Sequence, residues 1–133
     1  MRPSLAAVLN EVAAGRFPAA DGGVTILPQP SPRDAGVIGL TAHAVIFIDA
    51  DPAWVAALLP PGDLSGPLTP AFLQALCRQT GRRAHSVDVL ATVPGGAPLW
   101  AQVAPANAAS MRAFLAAGFV PVGAEALLTT NPG

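Results

Sequence analysis

Apolar residues in this chain follow two periods, one of three to four residues and one of two, and the two alternate along the sequence. The helical period comes first. Ser4 is placed to cap a helix from Leu5 to Ala14, which Gly15 stops. Gly22-Gly23 turns the chain into a strand, Val24 to Leu27, and Pro28, Pro30 and Pro32 break it into a loop. Proline donates nothing to a strand ladder, so this run reads as an edge or a connection.

Val37 to Asp49 alternates throughout and reads as one long strand. One face carries Ile38, Leu40, Ala42, Ala44, Ile46 and Ile48; the other carries Val37, Gly39, Thr41, His43, Val45, Phe47 and Asp49. The first face is expected to meet the core. The second is mixed and could line a site. Asp51-Pro52 starts a helix that runs to Leu59 and ends at Pro60-Pro61-Gly62. A loop over Gly62 to Leu68 follows. Thr69-Pro70 opens the next helix, with a stripe of Phe72, Leu73, Leu76, Cys77 and Thr80 and a stop at Gly81.

Val87 to Val93 and Leu99 to Val103 read as strands, separated by the sharp break Pro94 to Pro98. Asn107 caps a helix whose apolar positions, Met111, Phe114, Leu115, Gly118 and Phe119, match one buried helical face. Val120 to Val122 and Ala124 to Leu128 supply one or two closing strands, and Asn131 to Gly133 is expected to fray. Strands and helices mixed in this order predict an α/β or α+β fold, a sheet with helices packed on it.

Composition narrows the function classes. The 133 residues suit a single domain over residues 1–133. Apolar residues make up 52% and charged residues 11%, which excludes a wholly disordered chain. Net charge is −1, and the seven cationic residues are all arginines with no basic stripe, so no nucleic-acid partner is expected. The apolar stretch from Gly36 to Ile48 is too short for a membrane helix. Asn10 and Glu11 break the first apolar run, so no signal peptide is expected. These features predict a cytoplasmic protein with no membrane partner. A single cysteine, Cys77, excludes an internal disulfide.

Leu99 to Leu128 resembles the C-terminal part of GNAT-superfamily acyltransferases. The residues that carry the likeness are Leu99-Trp100-Ala101-Gln102-Val103, then Asn107, Ser110, Phe114, Gly118 and Phe119, then Val122-Gly123. Gly36 to Val93 looks more loosely like the N-terminal part of larger bacterial GNAT-like proteins, most clearly at Gly62-Asp63-Leu64-Ser65 and Leu68-Thr69-Pro70. The resemblance implies a mixed, largely antiparallel sheet with flanking helices. It implies acetyl transfer from acetyl-CoA to a small-molecule or peptide amine, with the pantetheine arm in a sheet cleft. Asn107, Ser110 and Arg112 would then lie near the coenzyme. Two features depart from the family. No Arg/Gln-x-x-Gly-x-Gly pyrophosphate loop is present, and Phe114 stands where many members have an acidic tyrosine. A shortened member is expected, with an internal junction near 94–98.

Each candidate has a plainer reading beside the chemical one. Asn107 also serves as a helix cap, Ser110 as an exposed first-turn serine and Arg112 as a solvated cation. His43 and Asp49 are the candidate bases for deprotonating an amine, because histidine as a residue type titrates near neutrality. A lone strand histidine also serves as a hydrogen-bonded structural residue. Asp51 has a capping role, and Asp88 reads as the polar member of an exposed strand face. Cys77 reads as a small core hydrophobe rather than a nucleophile. His85 sits in a polar run, and Ser65 lacks the nucleophile-elbow glycines. Nothing has metal-ligand spacing. The rival to an enzyme is a non-catalytic interaction domain whose open sheet edges pair with another chain, including a second copy in a homodimer.

Overall fold

The computed structural model describes residues 4–59, 66–93, 99–104 and 107–130, without the side chains of His85 and Ser86. Helix α1 (Leu5–Ala13) leads to β1 (Gly23–Leu27), β2 (Ala35–Leu40) and β3 (His43–Phe47). Helix α2 (Pro52–Ala57), a 3-10 turn (Gly66–Leu68) and α3 (Pro70–Thr80) follow. The chain closes with β4 (Arg82–Thr92), β5 (Trp100–Val103), α4 (Ala108–Ala116) and β6 (Val120–Thr130). The six strands form one sheet in the order β1-β3-β2-β6-β4-β5. Only β1 and β3 run parallel; the other neighbours are antiparallel. The fold is α+β with a mixed, mostly antiparallel sheet, as the sequence predicts.

Four helix starts follow their capping residues. Ser4 Oγ accepts from the Ala7 N–H, Asp51 from Ala53, Thr69 Oγ1 from Phe72 and Asn107 Oδ1 from Ser110. These bonds occupy N–H groups that the first helical turn leaves without partners. Gly81 ends α3 at φ +68°, a left-handed conformation that glycine adopts without penalty.

The single strand expected over Val37 to Asp49 is instead the β2–β3 hairpin. Thr41 and Ala42 form its turn, and Ala42 sits at φ +50°. Neither residue carries the usual glycine, asparagine or aspartate signal of a tight turn, so the alternation runs through unbroken. The turn changes which residues share a face. Ile38 and Leu40 lie with His43, Val45 and Phe47, whereas Val37 lies with Ala44 and Ile46.

Both faces of the sheet carry apolar clusters, and the face that holds His43 stays mixed, with Thr25 and Glu125 also on it. On one side Ala35, Val37, Ile46, Ile48, Ala126 and Leu128 pack against Val55 of α2 and Phe72, Leu73 and Leu76 of α3. On the other, Leu27, Ile38, Val45, Phe47 and Leu90 pack against Leu5, with Val8 and Leu9 of α1 partly buried beside them. Among the described residues no buried side-chain nitrogen or oxygen lacks a hydrogen-bond partner.

Three further elements differ from expectation. β4 begins at Arg82, so the polar run after Gly81 is already strand. β6 is one continuous strand. Helix α4 buries none of its residues, although its apolar spacing matches a core face. It pairs Phe114 with Phe119 edge to face and leaves Leu115 48% exposed. The predicted junction at 94–98, the loop segment 62–65 and the frayed end 131–133 lie outside the described residues. No helix of the described chain is long and apolar enough to cross a membrane.

Candidate functional site

The face of the sheet beneath α1 carries the most perturbed carboxyl among the described residues. Register places Asp88 of β4 directly opposite Glu125 of β6, and Glu125 opposite Ile38 of β2. Residues opposite one another in a ladder share a face. One row of side chains thus runs across the sheet as Asp88, Glu125, Ile38, Val45 and Thr25. It is acidic at one end, apolar in the middle and hydroxylic at the other end.

A cavity of about 280 Å³ opens at the acidic end, lined by Leu9 of α1, Leu90 of β4, Trp100, Ala101 and Gln102 of β5, and Glu125. Gln102 and Leu90 are register partners, so the carboxamide lies on the same face as the carboxyl. Burial pushes the Glu125 carboxyl up to about 7, the negative charge of Asp88 pushes the same way, and the hydrogen bond with Gln102 opposes them. Desolvation is the leading cause because an ionised carboxylate loses water that apolar walls do not replace. At neutral pH this group is near half-protonation, the state in which it accepts or gives a proton most readily.

A larger depression of about 590 Å³ lies elsewhere, lined in part by Gln29, Asp49, Trp54, Gln79, Thr80 and Arg82. Its polar groups are largely engaged. Asp49 Oδ1 accepts from the Gln29 N–H, and Gln29 Oε1 accepts from the Asp49 N–H. The Arg82 guanidinium donates to the carbonyls of Arg33, Leu128 and Pro32. Thr80 donates to the Leu76 carbonyl. This site offers volume with little spare chemistry, and the smaller cavity is the better candidate.

The residues singled out from sequence do not gather in one place. His43 lies on the α1 face, hydrogen-bonded to Thr25 and Asp21. Asp49 lies in the larger depression. Asn107 is a helix cap whose side-chain oxygen is taken by the Ser110 N–H, and Arg112 is exposed on α4. Cys77 is partly buried, and burial pushes its thiol up, away from the thiolate form. Asp88, expected on an exposed face, is half-buried beside Glu125. Glu125 itself escaped the sequence reading. Its signal was a lone acid between Ala124 and Ala126 in an otherwise apolar strand, where an unpaired charge is costly.

Each strand is hydrogen-bonded to its neighbours, and β4 pairs with β5 from Val89↔Val103 to Thr92↔Trp100, so no cleft opens between described strands to take a pantetheine arm. The Asn107 oxygen is already spent on its own helix. Among the described residues no group of three histidine, cysteine or acidic side chains is placed to hold a metal. No protein-family model, curated protein or solved structure matches this chain. The likeness to GNAT acyltransferases therefore rests on the residues that carry it.

Proposed function

We propose that the chain binds a small apolar molecule bearing an amine beneath α1 and takes a proton from that amine at Glu125. The observation that carries this reading is a carboxyl held near neutrality in an apolar cavity beside a second acid. An ammonium group satisfies the desolvated Glu125 carboxylate and offsets the charge of Asp88. The indole of Trp100 supplies an apolar wall whose face attracts cations. Once the proton passes to Glu125, the neutral nitrogen is a nucleophile. N-acyl transfer requires such an amine, so the acceptor half of the reaction expected from sequence fits this cavity. The donor half, acetyl-CoA, has only the sequence likeness behind it. We place the protein in the cytoplasm on the sequence grounds above.

The test uses Trp100 as reporter. Trp54→Phe removes the only other tryptophan. Titration with n-hexylamine is expected to quench Trp100 saturably, with affinity rising about tenfold from pH 6 to pH 8 as Glu125 ionises. Glu125→Gln is expected to weaken binding at least tenfold, and n-hexanol to bind weakly throughout. Equal binding of alcohol and amine, or no effect of Glu125→Gln, would contradict the reading.

A second reading, a non-catalytic domain that dimerises, is favoured by α4. No residue of the helix is fully buried, and Leu99 and Val120 are 57% and 45% exposed. Thr92 pairs with both Trp100 and Val120, which brings these side chains to one end of the sheet. Edge strand β5 lies there, with no strand on its other side among the described residues. Sedimentation across a concentration series separates the readings, since amine binding beneath α1 needs no second copy.

A further inference from the structure

At the opposite end of the same face, three segments bring a hydroxyl, an imidazole and a carboxylate into one line. Thr25 Oγ1 of β1 lies 2.7 Å from His43 Nε2 of β3, and His43 Nδ1 lies 2.9 Å from Asp21 Oδ1 in the turn before β1. A carboxylate only accepts, so Nδ1 carries the proton it shares with Asp21. With the ring neutral, Nε2 is left as the acceptor of the Thr25 hydroxyl proton. Nucleophile, base and orienting acid are thus in the order that acyl transfer to a hydroxyl requires.

The surroundings hold this line in place. The His43 side chain is only 9% exposed. The hydrogen bond from His43, and after it the N–H of Gly23 at 2.8 Å, hold the Asp21 carboxyl below its ordinary range. A Cβ on Gly23 would press on Asp21 Oδ1, so the turn is shaped around that carboxylate. Ala42, next to His43, keeps its left-handed backbone while its carbonyl accepts from the Gly22 N–H at 2.7 Å. That conformation is disfavoured for an L-residue, and such strain gathers where a fold over-determines a site.

We propose that Thr25 is a nucleophile for small acyl esters, with His43 as its general base and Asp21 as the positioning residue for His43. Thr25 Oγ1 bonds to the acyl carbon, and the bond from that carbon to the leaving oxygen breaks. The hydroxyl proton passes to His43 Nε2 and from there to the leaving oxygen. Water then attacks the acyl carbon and gives a proton to His43 Nε2, the bond from that carbon to Thr25 Oγ1 breaks, and the proton passes from Nε2 to Oγ1, which releases the carboxylic acid and restores Thr25. β1 is an edge strand whose Leu27 carbonyl accepts from the Ile48 N–H, so residues 23, 25 and 27 turn their backbone groups to β3. In that pattern the Val24 amide turns to the open edge, where it can face an oxyanion. The His43 side chain is only 9% exposed, which restricts access to small esters.

This inference is independent of the amine site. The full chain is incubated with p-nitrophenyl acetate at pH 7.5, and intact mass and peptide mapping are recorded. One acetyl group on Thr25 is expected, with a burst of p-nitrophenol. Thr25→Ser should keep the label. Thr25→Val and His43→Gln, each checked for folding by its melt, should lose it at least tenfold, and Asp21→Asn should slow it about tenfold. Glu11→Gln, at an exposed acid of α1 paired with Arg16, should leave the label unchanged. A folded wild-type chain without acetyl on Thr25, or equal labelling of His43→Gln, would overturn the proposal.

Discussion

Replacing Glu125 with glutamine is expected to stabilise the protein at pH 8 by about 2–3 kcal/mol and to change it by less than about 1 kcal/mol at pH 5. The sign follows from proton counts. In the folded chain Glu125 titrates at about 7, against an ordinary value of 4.5. Between those pH values the native state binds the proton and the unfolded state has released it. Stability therefore falls as pH rises through this window, and above it the full cost of a desolvated carboxylate is present. Glutamine keeps the shape and the capacity to pair with Gln102 but never carries the charge.

Other shifted carboxyls do not obscure this effect. Arg16 holds Glu11 low, and His43 holds Asp21 low. A depressed carboxyl contributes stability that is lost only as pH falls below its ordinary range, outside the window from pH 5 to pH 8. Urea melts of wild type and Glu125→Gln at the two pH values check the prediction. A stability difference that does not grow with pH would contradict it.

Gly123→Ala is expected to destabilise the fold by about 3 kcal/mol, in the range of overpacking a well-packed interior. Gly123 lies on β6 where that strand carries one extra residue against β4, between the pairs Leu90↔Gly123 and Ala91↔Pro121. The resulting bend brings its α-carbon close to β2. An added methyl would overlap the Gly39 carbonyl oxygen and press on Leu40. That carbonyl belongs to the backbone of a neighbouring central strand, so relief requires β2 and β6 to part. Chemical denaturation at pH 7 measures the loss; a change below about 0.5 kcal/mol would mean that the strands do not approach this closely.

The elements with strong local chemistry were legible before the structure. Ser4, Asp51, Thr69 and Asn107 announced four helices because a side chain that caps an N–H acts within its own turn. The β2–β3 hairpin was hidden because Thr41-Ala42 prolongs the alternation instead of interrupting it. Strand order was hidden too, since the insertion of β6 between β2 and β4 depends on pairings far apart in the chain, such as Ala35↔Leu128. Helix α4 was misread because spacing reports which residues share a face, not whether anything covers it.

The site followed the same division. Asn107 was recognised, and its capping bond is what local spacing could specify. His43 was recognised as a hydrogen-bonding residue, but its partners Asp21 and Thr25 meet it only through the parallel pairing of β1 with β3. Glu125 becomes chemically interesting only when β4 sets Asp88 opposite it and Gln102 joins them from β5, across two ladders that no spacing along the chain encodes.

The direct measurement of the central claim is the titration of glutamate side chains by ¹³C NMR. The chain contains two glutamates, Glu11 and Glu125, and Glu11→Gln assigns them. One carboxyl is expected to titrate at about 7 and the other below 4.5. Addition of n-hexylamine should shift the first resonance and leave the second in place. Two carboxyls that both titrate near or below 4.5 would contradict the account, because Glu125 would then be a solvated surface acid with no proton to exchange at neutral pH.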